Sequence, residues 1–248
     1  MVKHYIIMSS SYSDGQRIAL DIVQKHTLDM EKITQTIKEI KLICGKNVPL
    51  STHLIETNSL EWDSVAAYDP FFKDVMKVIS VTQFAEKIKK DRKLTGLDVA
   101  NYILSKKKVT HLALQKLVYF AYAEYLCKTN DKLFDDKIYA FSYGPVIDSV
   151  YEMFKRSGYD PLSTKEDKDC TIDVKEMPIR SRILFAEDGA NKVETIDEVI
   201  RKYGRLSAST LVDLTHRAGS PWQRTNSRDH YVEIPDERIK KYHYVETM

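Results

Sequence analysis

The stretch from Leu112 to Leu126 constrains the fold of this chain more than any other. Leu114, Leu117, Val118 and Ala121 recur at helical spacing and make one apolar stripe; Tyr119, Tyr122 and Leu126 make a second on another side. A helix that is apolar nearly all round must be surrounded by protein or by lipid. Lipid does not fit, because spanning a bilayer takes about 20 apolar residues and this shorter stretch carries Gln115, Lys116 and Glu124. The helix, with Thr110 as its cap, is expected at the middle of a bundle.

The helix punctuation around it supports that reading. Thr95 with Asp98 resembles a capping box and starts a helix through Leu97, Val99, Ala100, Ile103 and Leu104. Gly144-Pro145 reads as a helix start with proline at the first helical position, and Val146, Val150, Met153 and Phe154 as its inner face. Thr195 with Glu198 reads as a second capping box for a helix stopped by Gly204. Ser207 caps a helix carrying Leu211, Val212 and Leu214, halted by Gly219 and Pro221, and Pro235 begins a last short helix. Asp160 to Asp169 reads as a surface loop, and Cys170–Val174 and Arg182–Phe185 as short strands.

The first part is different. His4–Met8 predicts a strand, Asp14 precedes an expected helix with Ile18, Leu20, Ile22 and Val23, and Met30, Ile33, Ile37, Ile40 and Ile43 predict a helix ending at Gly45. His53–Glu56 and Val78–Val81 read as short strands, and Phe84–Lys90 as a helix. The charged run 87–93 marks a boundary. The expected organisation is α+β overall: a small α+β domain over 1–93 and a mainly α-helical bundle over 94–248, within the one or two domains that 248 residues allow.

Charge and composition narrow the function. Before Lys93 and including it there are 14 basic and 12 acidic residues, and after it 24 of each, where a nucleic-acid domain is usually lopsided. The run 87–93 and Lys106-Lys107-Lys108 read as solvated faces; a nucleic-acid patch is the sharper reading, weakened by the lack of interleaved aromatics. Eight glycines and no GxGxxG or GxxxxGK[ST] argue against nucleotide cofactors, and no cofactor is expected. Three cysteines (Cys44, Cys127, Cys170) without a CxxC pair, and seven histidines without HExxH or HxH spacing, argue against disulfides and metal. The opening residues do not read as a signal peptide, so a cytoplasmic protein with no membrane role is expected.

No catalytic constellation is legible. Cys127 ends an apolar helix, where cysteine is usually a small buried hydrophobe; Ser142-Tyr143-Gly144 lacks the nucleophile-elbow pattern; and Asp135-Asp136 and Glu166-Asp167-Asp169 fall in polar loops. The chain reads as a non-enzyme. Fifteen tyrosines against eight phenylalanines leave many rings with a hydroxyl that needs a partner. Gln115, Lys116, Tyr119, Tyr122, Tyr143, Tyr151 and His216 are candidate partner-binding residues, since tyrosine is enriched in interface hot spots. The competing reading places the tyrosines in the core and gives Gln115 and Lys116 to neighbouring backbone. His111 and His216 are the histidines of interest. Gly144, Pro145, Ser220, Pro221 and Trp222 read as architecture: a tight turn, and a stop that drops a large ring onto the bundle.

Four segments in register carry a resemblance. Thr110 to Ala121, Ala140 to Val146 with Val150-Tyr151, Phe154-Lys155 and Gly158, then Tyr203 to Ala208, and finally Leu214 to Trp222 resemble the signature segments of the Panacea (SocA-like) antitoxin-domain family, over about Leu94 to Tyr242. The resemblance implies an antitoxin of a bacterial or phage toxin–antitoxin pair, which neutralises a cognate protein toxin, encoded by the adjacent gene, through direct contact. An adaptor that hands the toxin to a cytosolic protease is the alternative that the resemblance also implies; a DNA-binding operon regulator, which the basic runs near residues 87–108 would serve, and a phage inhibitor of host defence are the further alternatives to the favoured antitoxin. Arg217-Ala218 stands where the family often has acidic residues, and residues 1–93 carry no resemblance.

Overall fold

The structure, a computed structural model, describes residues 1–12, 14–158, 160–162, 176–225 and 231–248, and divides into two compact units, Met1–Lys93 and Leu94–Met248. In the first, β1 (Val2–Ser11) and β2 (Gln16–Lys25) form an antiparallel hairpin. The helix expected after Asp14 is instead β2. Ile18, Leu20 and Ile22 repeat every second residue, so a strand puts all three on one side of a sheet. α1 (Met30–Cys44) follows, capped by the Asp29 carboxylate and ended at Gly45. β3 (Ser51–Thr57), α2 (Trp62–Tyr68), β4 (Val75–Val78) and α3 (Val81–Asp91) complete the unit. The strand expected at Val78–Val81 ends at Val78 because Ser80 caps α3.

The sheet order is β3-β1-β2-β4, with β4 parallel to β2 and the other pairs antiparallel. Ile33, Ile40, Phe84 and Ile88 of α1 and α3 cover Ile7, Ile18, Leu20 and Ile22 on one face; Val65 and Phe72 cover Ile6, Met8 and Ala19 on the other. Both faces are thus covered, which is why β1 reads as a nearly continuous apolar run. His4 is wholly buried in that run, and its Nδ1 lies 3.0 Å from the Asp21 carboxylate.

The second unit is mixed but mainly helical: α4 (Gly96–Lys106), β5 (Val109–Thr110), α5 (His111–Thr129), β6 (Ile138–Phe141), β7 (Gly144–Ile147), α6 (Asp148–Phe154), β8 (Pro161–Leu162), α7 (Glu176–Phe185), α8 (Gly189–Tyr203), α9 (Ala208–Thr215), α10 (Pro221–Thr225), β9 (Val232–Glu233) and α11 (Asp236–Tyr242). The Thr95–Asp98 capping box and the Thr110 and Ser207 caps form as expected. Four expectations fail. Gly144-Pro145 opens strand β7 rather than a helix, because Gly144 takes φ +101° and α6 begins only at Asp148. Thr195 and Glu198 cap nothing, since α8 already starts at Gly189 and Thr195 is buried inside it. Arg182–Phe185 is the end of helix α7. Cys127 is exposed, as α5 there turns its last residues out of the core. The expected Cys170–Val174 strand and most of the 160–169 loop lie outside the described residues.

α5 is the axis of this unit. Thirteen of its 19 residues are buried, and α4, α8, α9, α11 and β7 pack around it. Its rings sit in aromatic company: Phe120 stacks on Tyr203 at 4.5 Å, and Tyr122 meets Phe134 at 4.8 Å. Four of the buried tyrosine hydroxyls are each answered by a carboxylate, whereas that of Tyr203 has no hydrogen-bond partner among the described residues. Tyr102 donates to Asp197 (2.9 Å), Tyr119 to Glu246 (2.8 Å), Tyr122 to Asp236 (2.7 Å) and Tyr125 to Asp188 (2.7 Å). These bonds differ in what removal would leave behind. Glu246 has no exposed surface, whereas Asp188 is exposed. Tyr119→Phe is therefore expected to lower stability by about 2–3 kcal/mol, and Tyr125→Phe by about 1 kcal/mol or less, because only the first takes a hydrogen bond from a carboxylate that water cannot reach. Urea unfolding followed by Trp222 fluorescence in a Trp62→Phe background, which silences the first unit, measures both.

Candidate partner-binding site

Gln115 and Lys116 are the two polar interruptions of the buried face of α5, and both reach the same strand. β7 pairs with β6 along one edge only. Its other edge faces α5, where the Gln115 amide brackets Ile147: Oε1 accepts from the Ile147 N–H at 3.0 Å and Nε2 donates to its carbonyl at 3.3 Å. Lys116 Nζ donates to the Pro145 carbonyl at 2.8 Å. Proline at that edge wastes no N–H, and the helix supplies every remaining partner.

The approach is close. A Cβ on Gly144 would lie 2.7 Å from Thr215 Oγ1 and 3.0 Å from Lys116 Nζ, at a φ that side chains rarely adopt. Glycine is therefore required there on two counts. At the neighbouring strand end, the Trp222 indole N–H donates to the Phe141 carbonyl at 2.8 Å, and His216 stacks flat on the Trp222 ring at 3.6 Å. Ser220 fixes that corner by donating to the Thr215 carbonyl and capping Gln223, with Pro221 as the first residue of α10.

This frame encloses a cavity of about 400 Å³. Its walls are Thr110, His111, Leu112 and Gln115 of the α5 end, Phe141, Ser142 and Tyr143 of the hairpin, then Val146, Tyr151, Gly158 and Ala208. The Tyr151 ring meets His111 at 5.5 Å and Phe141 at 5.4 Å, so three rings line one side. Tyr143 stands at the hairpin tip, 67% exposed. Burial, with the Lys116 charge behind it, holds the His111 pKa below the usual value.

The candidate residues thus separate. Gln115, Tyr143 and Tyr151 line the cavity. Lys116, Tyr119 and Tyr122 are buried in the bundle, and His216 braces Trp222 outside the cavity wall. Phe141, Leu112, Val146 and Ala208 were not singled out from sequence, although Phe141 and Val146 sit in the motif containing Tyr143. Behind the frame, Lys116 belongs to a buried polar cluster with Tyr119, Glu246 and His243. His243 Nδ1 lies 3.0 Å from Glu246 and Nε2 3.8 Å from Glu124. Burial raises the Glu246 pKa; burial also opposes charge on His243, but the carboxylates of Glu124 and Glu246 outweigh it and raise its pKa. No sequence signal points to Glu246 or His243. Among the described residues no group of His, Cys, Asp and Glu converges as a metal would need, and no helix is long and apolar enough to cross a membrane.

The family profile described as "Antitoxin SocA-like, Panacea domain" matches residues 114–223, which carry α5, the β6–β7 hairpin and the Trp222 corner. Residues 114–223 of this chain are thus similar to the SocA-like Panacea domain. "Antitoxin SocA" of Caulobacter vibrioides (strain NA1000 / CB15N) is 32% identical over 132 residues, which are 50% of this chain and 66% of that protein. No solved structure matches the chain significantly. The Panacea match lies wholly inside the second unit.

The Panacea frame has a pH signature. Burial pushes the Lys116 pKa down to about 7, against the attraction of Glu246. In the unfolded chain a lysine titrates near about 10.4. Between these values the unfolded chain binds more protons, so this group makes stability rise with pH and withdraws that gain as pH falls toward 7. The stability difference between wild type and Lys116→Met is expected to move by about 2 kcal/mol in favour of wild type from pH 7 to pH 9. The unpaired Pro145 carbonyl affects the variant equally at both pH values and drops out of the comparison. Urea midpoints at the two pH values test it.

Proposed function

We propose that this protein is the antitoxin of a toxin–antitoxin pair and silences a protein toxin by direct contact through its Panacea domain. The observation that carries this is the match to Antitoxin SocA, 32% identical over a stretch equal to 50% of the chain. The geometry supports a binding role. The histidine nearest the cavity, His111, is stacked on Tyr151 and has its pKa lowered by burial, and Gln115 is committed to the backbone of Ile147. Leu112, Phe141, Val146, Tyr151 and Ala208 give the cavity aromatic and apolar surface, the kind that anchors a partner. The first unit, Met1–Lys93, lies outside the family match, and its two covered sheet faces make it a separate module for selectivity or a second contact.

The test is co-expression with the product of the adjacent gene. Growth arrest by that product alone, relieved by this chain, is the expected result; an arrest that co-expression leaves unchanged overturns the reading. Toxin lifetime, followed in a pulse-chase, is expected to stay equal or lengthen in the presence of the chain. A shortened lifetime would replace masking by delivery to a protease.

A further inference from the structure

Resting on that antitoxin reading, we propose that the cavity between α5, the β6–β7 hairpin and α6 is an anchor pocket for one large apolar side chain of an acidic peptide segment of the toxin. The apolar half of the claim comes from the walls. Leu112, Phe141, Val146, Tyr151 and Ala208 surround about 400 Å³. Gln115, one of the polar residues of the wall, spends both amide atoms on Ile147. Of the other polar wall residues, Thr110 is occupied in capping α5 through the Ala113 N–H and His111 packs its ring against Tyr151.

The acidic half comes from the rim. Three of the segments that lead into wall residues bring cations. Lys107 and Lys108 precede Thr110, Lys155 and Arg156 precede Gly158, and Arg205 precedes Ala208. The anions beside those same wall residues are Asp148, Glu152 and Asp160, and Glu152 is already paired with Lys155. Lys108, Arg156 and Arg205 are exposed and have no ion-pair partner among the described residues. Lys108, Arg156 and Arg205 each stand within three positions of a wall residue, and against the even charge balance of the chain they make a local excess of cations without ion-pair partners among the described residues. Carboxylates flanking the anchor side chain would be drawn to the rim and would fix its orientation. Tyr143, exposed at the hairpin tip, is placed to cover the anchor once seated.

The test selects a random twelve-residue phage-displayed peptide library on the full chain, with counter-selection on Ala208→Trp, which fills the opening. Enriched peptides are expected to share one large apolar residue flanked by Asp or Glu. Fluorescence anisotropy of a labelled enriched peptide is expected to weaken about tenfold on Ala208→Trp, on Lys108→Glu/Arg156→Glu/Arg205→Glu, and when its apolar residue is replaced by alanine. Its affinity is also expected to fall with added salt. The triple variant changes only exposed side chains, so it serves even if Ala208→Trp disturbs α9. Enrichment of basic or uncharged peptides, no peptide that distinguishes wild type from both variants, or competition by a twelve-residue oligo-dT would overturn the proposal. The antitoxin reading fails separately: toxicity that persists under co-expression sinks that reading, whereas neutralisation that both variants retain sinks only the pocket.

Discussion

The second unit depends on two side chains of one helix satisfying the open edge of one strand. An edge strand normally needs water or another strand for its outward carbonyls and N–H groups. β7 is denied both, because it lies against the axis helix. Gln115 and Lys116 act as the missing strand, taking the Ile147 N–H, the Ile147 carbonyl and the Pro145 carbonyl. Losing either would leave buried backbone groups bare, at about 1–3 kcal/mol each. The same constraint explains the neighbouring residues. Pro145 has no N–H to satisfy, and Gly144 is the residue without a Cβ to collide with Thr215 and Lys116. Four adjacent requirements in two short motifs are met by one geometry.

That clamp has an electrostatic consequence deeper in the bundle. Bringing an amine to the Pro145 carbonyl places Lys116 where no water reaches it, and an isolated buried cation is costly. The fold answers with Glu246, itself fully buried and held by Tyr119 and His243. The answer is partial. Glu246 Oε1 and His243 Nε2 remain without hydrogen-bond partners, and Lys116 loses its preference for the charged form near neutral pH. The segment after α11 is thereby tied to the signature helix by a polar knot, and a residue far along the chain underwrites the placement of the hairpin.

How much of this was legible in the sequence follows from the range of each signal. Caps are local: Thr95, Thr110 and Ser207 each bond a backbone N–H three residues on, so their pattern could be read directly. The all-round apolar character of α5 was legible for the same reason, and the four motif segments identified the family. What failed depended on distant partners. Gly144-Pro145 has the local signature of a helix start, yet Gln115 and Lys116, roughly thirty positions earlier, make it a strand. Ile18, Leu20, Ile22 and Val23 fit a helix about as well as a strand until β1 and β4 flank them. The separation of the candidate tyrosines into cavity and core was invisible, because it turns on which hydroxyl meets Glu246 or Asp236.

The division between frame and lining bears on how such a domain meets a partner. The bonds that fix the hairpin run from side chains to backbone: Gln115 to Ile147, Lys116 to Pro145, Trp222 to Phe141 and Ser220 to Thr215. Backbone acceptors are the same whatever side chain is attached. Leu112, Tyr143, Tyr151 and Ala208 carry none of these bonds, so exchanging them alters the cavity's shape while leaving its walls in position. A partner then meets a surface already ordered, which lowers the entropic cost of association. In the proposed anchor pocket, specificity would reside in the lining and the nearby cations, and stability in the clamp. Gln115 belongs to both sets, since it lines the cavity and holds Ile147; Lys116, Trp222 and Ser220 stand outside the lining, so the rest of the contact surface is free to change without loss of the fold.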